Sequence, residues 1–361
     1  MPILLSSRHK KASPGKSYLR GDDLEQSYIG RQSIRFADRP SILGYACAVG
    51  HKEGEGPLDK YFDYVSEDSY FGEKTWEKAE SAMAKRALAL SCEKAGIELS
   101  AVRTLFAGDL LNQCTGTTFG LLDAKIPYLG IFGACSTMAE GLLLAAMSIN
   151  GGFSPCSAAV TSSHFCSAER QFRFPLEYGG QRTPTSQWTA TAAGAVILSQ
   201  SGAGPFVTHA TVGKIVDAGV TDANNMGAAM APAACDTLCT HFNDLGIAPS
   251  HYDLIVTGDL GLVGSELMLT LLRREGFDIE ANYRDCGLML FSREKQDVHA
   301  GASGCGCSAA VLTGHLLDEM RAGRIKRLLF AGTGALMSPT TTMQGANIPG
   351  VCHAVSISTE R

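Results

Sequence analysis

The sequence of 361 residues has no apolar run reaching the ~18 residues that a membrane-spanning helix needs. Its start, "MPILLSSRHKKASPGKSYLR", lacks the long apolar core of a signal peptide. That stretch carries Arg8, Lys10, Lys11, Lys16 and Arg20 with no acid. It reads as a solvated tail, or as a weak contact for an anionic membrane or partner. A net charge of −5 excludes a global basic surface of the kind that nucleic acid favours. A phosphate loop of the form G-x-x-x-x-G-K-S/T is missing, and "VGHKEGEGP" (49–57) does not supply one. So is a calcium loop of the EF-hand type. No C-x-x-C pair has a matching partner pair, which argues against structural zinc.

Cysteine itself is not scarce. There are twelve, and several sit in apolar or small-residue runs (Cys92, Cys156, Cys305, Cys307). Free cysteine behaves as a small buried hydrophobe, and the usage fits a reducing, intracellular compartment. Hydrophobic residues make up 45% and charged residues only 19%, with 40 glycines. That balance predicts tight turns and a large buried sheet, in one large domain or two fused halves.

An internal repeat favours two halves. "KAGIELSAVRTLFAGDL" (94–110) aligns without gaps to "DLGIAPSHYDLIVTGDL" (244–260). Gly96 meets Gly246, Ile97 meets Ile247, and Gly108-Asp109-Leu110 meets Gly258-Asp259-Leu260. Each segment reads as a helix end with a terminal glycine, a turn, and an apolar strand. Before the first, Trp76, Ala79, Met83, Ala87 and Leu90 share one helix face. Before the second, "APAACDTLCTHFNDLG" starts with proline in a first turn. The similarity resumes between "GACSTMAEGLLLAAMSINGG" (133–152) and "GCGCSAAVLTGHLLDEMRAG" (304–323). The strands "SAAVTSS" (157–163) and "RLLFAGTGA" (327–335) follow. Alternating strands and helices predict an α/β protein with parallel βαβ units. Its ligand crevice lies beyond the strand ends.

In "IFGACSTMAEGLLL" (131–144) an apolar run stops at Gly133, and Cys135 stands where a helix begins. A thiolate is the nucleophile, and a helix start favours negative charge. Cys135 is the candidate nucleophile on this ground.

A duplicated α/β plan with a cysteine at the first half's helix start resembles the thiolase-like superfamily of thiolases and ketoacyl synthases. "AGASGCGCSAAVLTGHLLDEM" resembles the stretch around the thiolases' second-half catalytic histidine, and "AGTGALMSPT" (331–340) that family's closing glycine loop. A narrower resemblance runs from about Pro40 to His353 and is to the stage V sporulation protein AD family. It rests on "LFAGDLLNQ" (105–113), "IFGACST" (131–137), "TSSHFCSAERQFRFPLEYGGQ" (161–181), "MGAAMAPAACDT" (226–237), "TGDLGLVGS" (257–265) and "DCGLMLF" (285–291). The superfamily resemblance implies two pseudo-duplicated βαβ modules in an α/β/α/β/α stack and, by superfamily habit, a homodimer. The expected division is an extension over 1–39, a half over 40–225 with Cys135, and a half over 226–361. The family resemblance implies a spore-former's protein that binds dipicolinic acid, pyridine-2,6-dicarboxylate. It implies work with other SpoVA proteins, peripheral at the forespore and spore inner membrane. There, the resemblance implies, dipicolinate and its calcium chelate are taken up in sporulation and released in germination. No cofactor and no metal centre is expected.

Covalent thioester chemistry needs a base and oxyanion donors near the sulfur. The superfamily takes them from the second half as His/His or His/Asn pairs. Here Gly258 and Asp259 occupy the first position and Val298 the second, with His299 one residue late. An aspartate beside a thiolate disfavours it, and a one-residue shift in an extended segment turns the side chain to the other face. The expectation is a pocket without turnover. The alternative is an active acyl-thioester condensing enzyme using Cys135, with His299 as base. A third reading is an assembly protein with a vestigial pocket, docking through its basic start or the acidic aromatic stretch 57–80.

A flat dianion needs planar donors and an apolar or aromatic wall. Arginine forks suit carboxylates. The stretch 164–180 offers His164, Arg170, Arg173 and Tyr178, with Phe172 and Phe174 interleaved. The bland alternatives are a structural His164 and a surface pairing of Glu169 with Arg170 or Arg173. The repeat mates Asp109 and Asp259, with Asn112 beside the first, are either turn aspartates or ligand contacts. They help a dianion only if calcium accompanies it.

Overall fold

The computed structural model describes residues 27–172 and 181–361. Strand β1 (Ser41–Val49) opens the first half and is followed by helix α1 (Trp76–Ala95). Thr75 caps α1 by accepting the Lys78 N–H (3.3 Å), and Gly96 closes it in the left-handed conformation (φ 68°). The buried stripe of α1 runs through Ala79, Met83, Ala87, Leu88 and Cys92. Then come β2 (Thr104–Asp109), β3 (Tyr128–Gly130), α2 (Thr137–Asn150), β4 (Cys156–Ser163), α3 (Phe165–Phe172) and β5 (Ala192–Ser199).

The second half repeats the plan. It comprises β6 (Phe206–Thr211), α4 (Met226–Leu245), β7 (Leu254–Thr257), α5 (Gly261–Arg274), β8 (Tyr283–Asp285), α6 (Cys305–Ala310), β9 (Arg327–Ala335) and β10 (Gly350–Ser358). A π turn over Val311–Leu316 and a helical turn over Leu317–Arg321 prolong α6. Gly246 ends α4 as Gly96 ends α1, again in the left-handed conformation (φ 63°).

The strand order is β1-β5-β4-β2-β3 in one half and β6-β10-β9-β7-β8 in the other. In both, the last three strands of that order are mutually parallel and the other two are antiparallel to their neighbours. The halves meet edge to edge where Phe206 pairs Ser41. Because β6 belongs to the second sheet, the second half starts before Phe206 and not at residue 226. The sequence similarity begins only at the following helix and leaves this first strand unmarked.

Three apolar layers hold this together. The central one joins Met138, Leu142 and Ile149 of α2 to Val196, Leu312, Phe330 and Val355. The outer ones seat α1 on the first sheet through Met83 and Leu88, and α4 on the second through Met230, Leu238 and Phe242. An α/β/α/β/α stack results, with α2 and the α6 segment between the sheets. Helix α2 is buried on most sides, as a helix apolar nearly all round must be.

Glycines of β9 let the Cys135 turn approach. A Cβ on Gly334 would stand 2.3 Å from the Gly133 carbonyl oxygen, and one on Gly332 2.6 Å from Cβ of Ala139. All twelve cysteines are free. Among the described residues no helix is long and apolar enough to cross a membrane. The basic stretch at the start of the sequence lies outside them. The acidic aromatic stretch forms short turns and a two-residue strand, Tyr64–Val65, leading into α1.

Candidate functional site

A tight turn, Ala134–Ser136, delivers Cys135 to the head of α2. Gly133 accepts the Ser136 N–H (3.0 Å) and hydroxyl (2.7 Å), and Ala134 accepts the Thr137 hydroxyl (2.7 Å). Ala134 itself sits at φ 50°. That conformation costs a β-carbon-bearing residue on the order of 1 kcal/mol and recurs where function constrains the backbone.

The Cys135 thiol is buried and feels the charge of the Asp259 carboxylate. Asp259 follows β7, so the second half supplies the partner of a cysteine from the first. One Asp259 oxygen also accepts the Gly304 N–H (2.8 Å) and the Ser303 hydroxyl (3.2 Å). The other accepts the Thr333 hydroxyl (2.9 Å). Burial pushes the Asp259 carboxyl up to about 6 although these donors oppose the shift. Burial first, and then the Asp259 charge, push the Cys135 thiol well above its ordinary value. A helix start contributes roughly 0.3–1 kcal/mol, less than the ~1.4 kcal/mol of one pKa unit. Desolvation and a like charge outweigh it. The proton stays on sulfur.

Beside the thiol lies a cavity of about 40 Å³, room for a few waters. Phe132, Phe172, Met226 and Met337 form apolar walls, and Thr189, Ser303 and Glu169 add polar atoms. Glu169 is buried and accepts the Thr189 hydroxyl (3.1 Å). The short parallel pairing of Trp188–Thr189 with Ala302–Ser303 brings those two hydroxyls into place.

Of the residues singled out in the sequence, Cys135 and Asp259 come together here. Asp109 occupies the equivalent strand end but does not line this cavity. It accepts the N–H groups of Leu111 (2.9 Å) and Thr117 (2.7 Å) and faces buried Glu80, whose carboxyl is raised to about 8 by burial and by Asp109. Asn112 and Arg170 line a separate surface cleft. Arg170 pairs with Glu77 and lies over the Trp76 ring (5.3 Å), so its fork faces away from Cys135. His164 is buried and structural. Its Nε2 donates to the Ser69 carbonyl oxygen (2.8 Å) and its Nδ1 accepts the Cys166 N–H (3.1 Å). Desolvation lowers its pKa and keeps the ring neutral. Arg173 and Tyr178 lie outside the described residues. His299 turns to the Thr183 carbonyl oxygen (2.6 Å) and to Asp297 (3.1 Å), while Val298 is buried.

Glu169, Thr189 and Ser303 were not apparent as pocket residues. Ser303 adjoins the small-residue run repeated from the Cys135 segment, which was a usable signal. Thr189 carried none. Glu169 read as a surface acid because an arginine stood next to it.

Paired α/β halves, with a cysteine turn at the head of a buried central helix, define a fold of the thiolase-like 3-oxoacyl synthase III type. Similar solved structures include 3-oxoacyl-[acyl-carrier-protein] synthase III from Aquifex aeolicus. It is 12% identical at a TM-score of 0.52, over 88% of this chain and 99% of that one. Cerulenin-bound OleA from Xanthomonas campestris is 16% identical at 0.55, over 89% and 96%. Residues 30–358 match the family model of stage V sporulation protein AD. Stage V sporulation protein AD of Bacillus subtilis (strain 168) is 41% identical over 326 residues, 90% of this chain and 96% of that protein. The chain belongs to the stage V sporulation protein AD family.

The pairing predicts how Cys135 reacts. Site-resolved mass spectrometry of iodoacetamide alkylation at pH 8 will find Cys135 slow. Asp259→Asn will speed it at least about tenfold, the change that one pKa unit gives. An unchanged rate would remove the carboxylate from the account.

Proposed function

We propose that this chain is a sporulation protein that holds dipicolinate in the cavity beside Cys135 and turns nothing over there. In this reading it serves dipicolinate uptake into the developing spore, with other SpoVA proteins, as a peripheral protein of the forespore membrane. The observation that carries the absence of turnover is the Asp259 carboxylate standing where a thiolate would need a base. Family membership supports the sporulation setting.

The lining suits a flat aromatic acid in part. Phe132, Phe172, Met226 and Met337 offer faces for a ring, and the Ser303 and Thr189 hydroxyls and the Cys135 thiol offer donors. The cavity must widen to take a whole ligand. Among the described residues no cation lines it, while Glu169 does and Asp259 stands behind Cys135. A dianion therefore binds best with a proton on Asp259 or with calcium, which prefers oxygen ligands.

The sign follows. Asp259 is neutral below about 6 and ionised above it. Calorimetry will show dipicolinate affinity falling as pH rises from 5 to 8, with proton uptake on binding. Asp259→Asn will flatten that dependence. No binding at any pH, with or without calcium, sinks the proposal.

We also propose a homodimer. Strand β3 is a sheet edge exposed along its length. Phe119 (68% exposed), Leu122 (68%), Leu129 (53%) and Phe132 (46%) gather along this part of the chain. A bare apolar edge invites pairing, and two copies meeting there close the interface. Sedimentation velocity will give a dimer, and Leu129→Lys with Phe119→Lys a monomer. A monomeric unmodified chain contradicts it.

A further inference from the structure

A second cavity, of about 460 Å³, opens at the other end of the sheets. Arg327 starts β9 and His251 precedes β7, whereas Ala335 and Asp259 near Cys135 lie at the far ends of those strands. Four guanidinium groups line it, those of Arg35, which has a partner of its own, and of Arg39, Arg327 and Arg361; among the described residues the lining has one carboxylate side chain, Glu360. This stands out in a chain of net charge −5. Arg327 holds Glu360 only loosely, at 3.8 Å, and Arg39 has no ion pair among the described residues.

The scaffold under these cations is fixed. Phe36 is buried between Arg35 and Arg39, and its N–H donates to the Thr208 carbonyl oxygen (2.9 Å). The Arg39 N–H closes the turn on the Phe36 carbonyl oxygen (3.2 Å). Beneath runs a buried polar chain in which Thr211 meets His241 (2.7 Å), His241 meets Tyr252 (2.7 Å), and Tyr252 meets Ser356. The positive field is felt inside the cavity. Burial and then Arg35 and Arg39 press His209 down to about 4, so it offers a neutral ring there.

We propose that this cavity binds a small phosphate-bearing anion. Guanidinium forks arriving from the 35–39 turn, the start of β9 and the end of β10 surround a tetrahedral group better than a flat one. The volume exceeds that of one phosphate, which fits a diphosphate or a phosphate ester. The site is independent of the Cys135 cavity.

The test uses the full chain, at low ionic strength, with two probes. Pyrophosphate is titrated by calorimetry, and vesicles of phosphatidylcholine with phosphatidic acid are used in co-sedimentation. Saturable pyrophosphate binding alone identifies a soluble phosphate ligand, and vesicle retention identifies a lipid headgroup. Either upholds the site if Arg39→Gln with Arg327→Gln weakens it at least about tenfold, the equivalent of one charge-assisted hydrogen bond. The exposed-turn variant Arg39→Gln alone gives the same direction if the double variant unfolds. Lys85→Gln, which removes a surface cation paired with Asp123, will bind like the unmodified chain. Failure of both probes overturns the proposal. Binding untouched by the arginine changes, or weakened equally by Lys85→Gln, overturns it too.

Discussion

A carboxylate buried without a cation must collect hydrogen bonds from whatever surrounds it, and Asp259 collects three, beside a cysteine of the other half. Gly304, Ser303 and Thr333 supply them, and the charge of Asp259 acts on the Cys135 thiol of the first half. Among the described residues Asp259 has no ion pair. Its position ties the turn after β7, the head of α6, the glycine strand β9 and the head of α2 into one cluster. Small residues make that cluster possible, since Gly332 and Gly334 leave room for the Cys135 turn.

The same arrangement sets the chemistry. A thiol at a helix start gains little from the helix when it is desolvated and faces a carboxylate. Burial and Asp259 thus hold the thiol protonated. His299, the remaining candidate base, is held on Thr183 and Asp297 by its own hydrogen bonds.

Much of the fold was legible because duplication prints itself on sequence. Gly96 and Gly246 end equivalent helices, Asp109 ends β2, and Asp259 follows the equivalent strand β7. The boundary between halves was misplaced because β6 shares pairing with β1 and little sequence. At the site, Cys135 and Asp259 were readable from strand-to-helix turns. Their neighbours were not, because Thr189 and Ser303 meet through a two-residue pairing between distant segments. Arg170 and His164 had suitable chemistry. A glutamate on α1 and the carbonyl of Ser69 claimed them, and only the tertiary structure reveals such partners.

The claim that Cys135 is held protonated and idle is tested most directly by incubating the full chain with acyl-coenzyme A esters of several chain lengths and measuring intact mass. The account predicts an unmodified chain at every length. An acyl adduct that maps to Cys135 would contradict it.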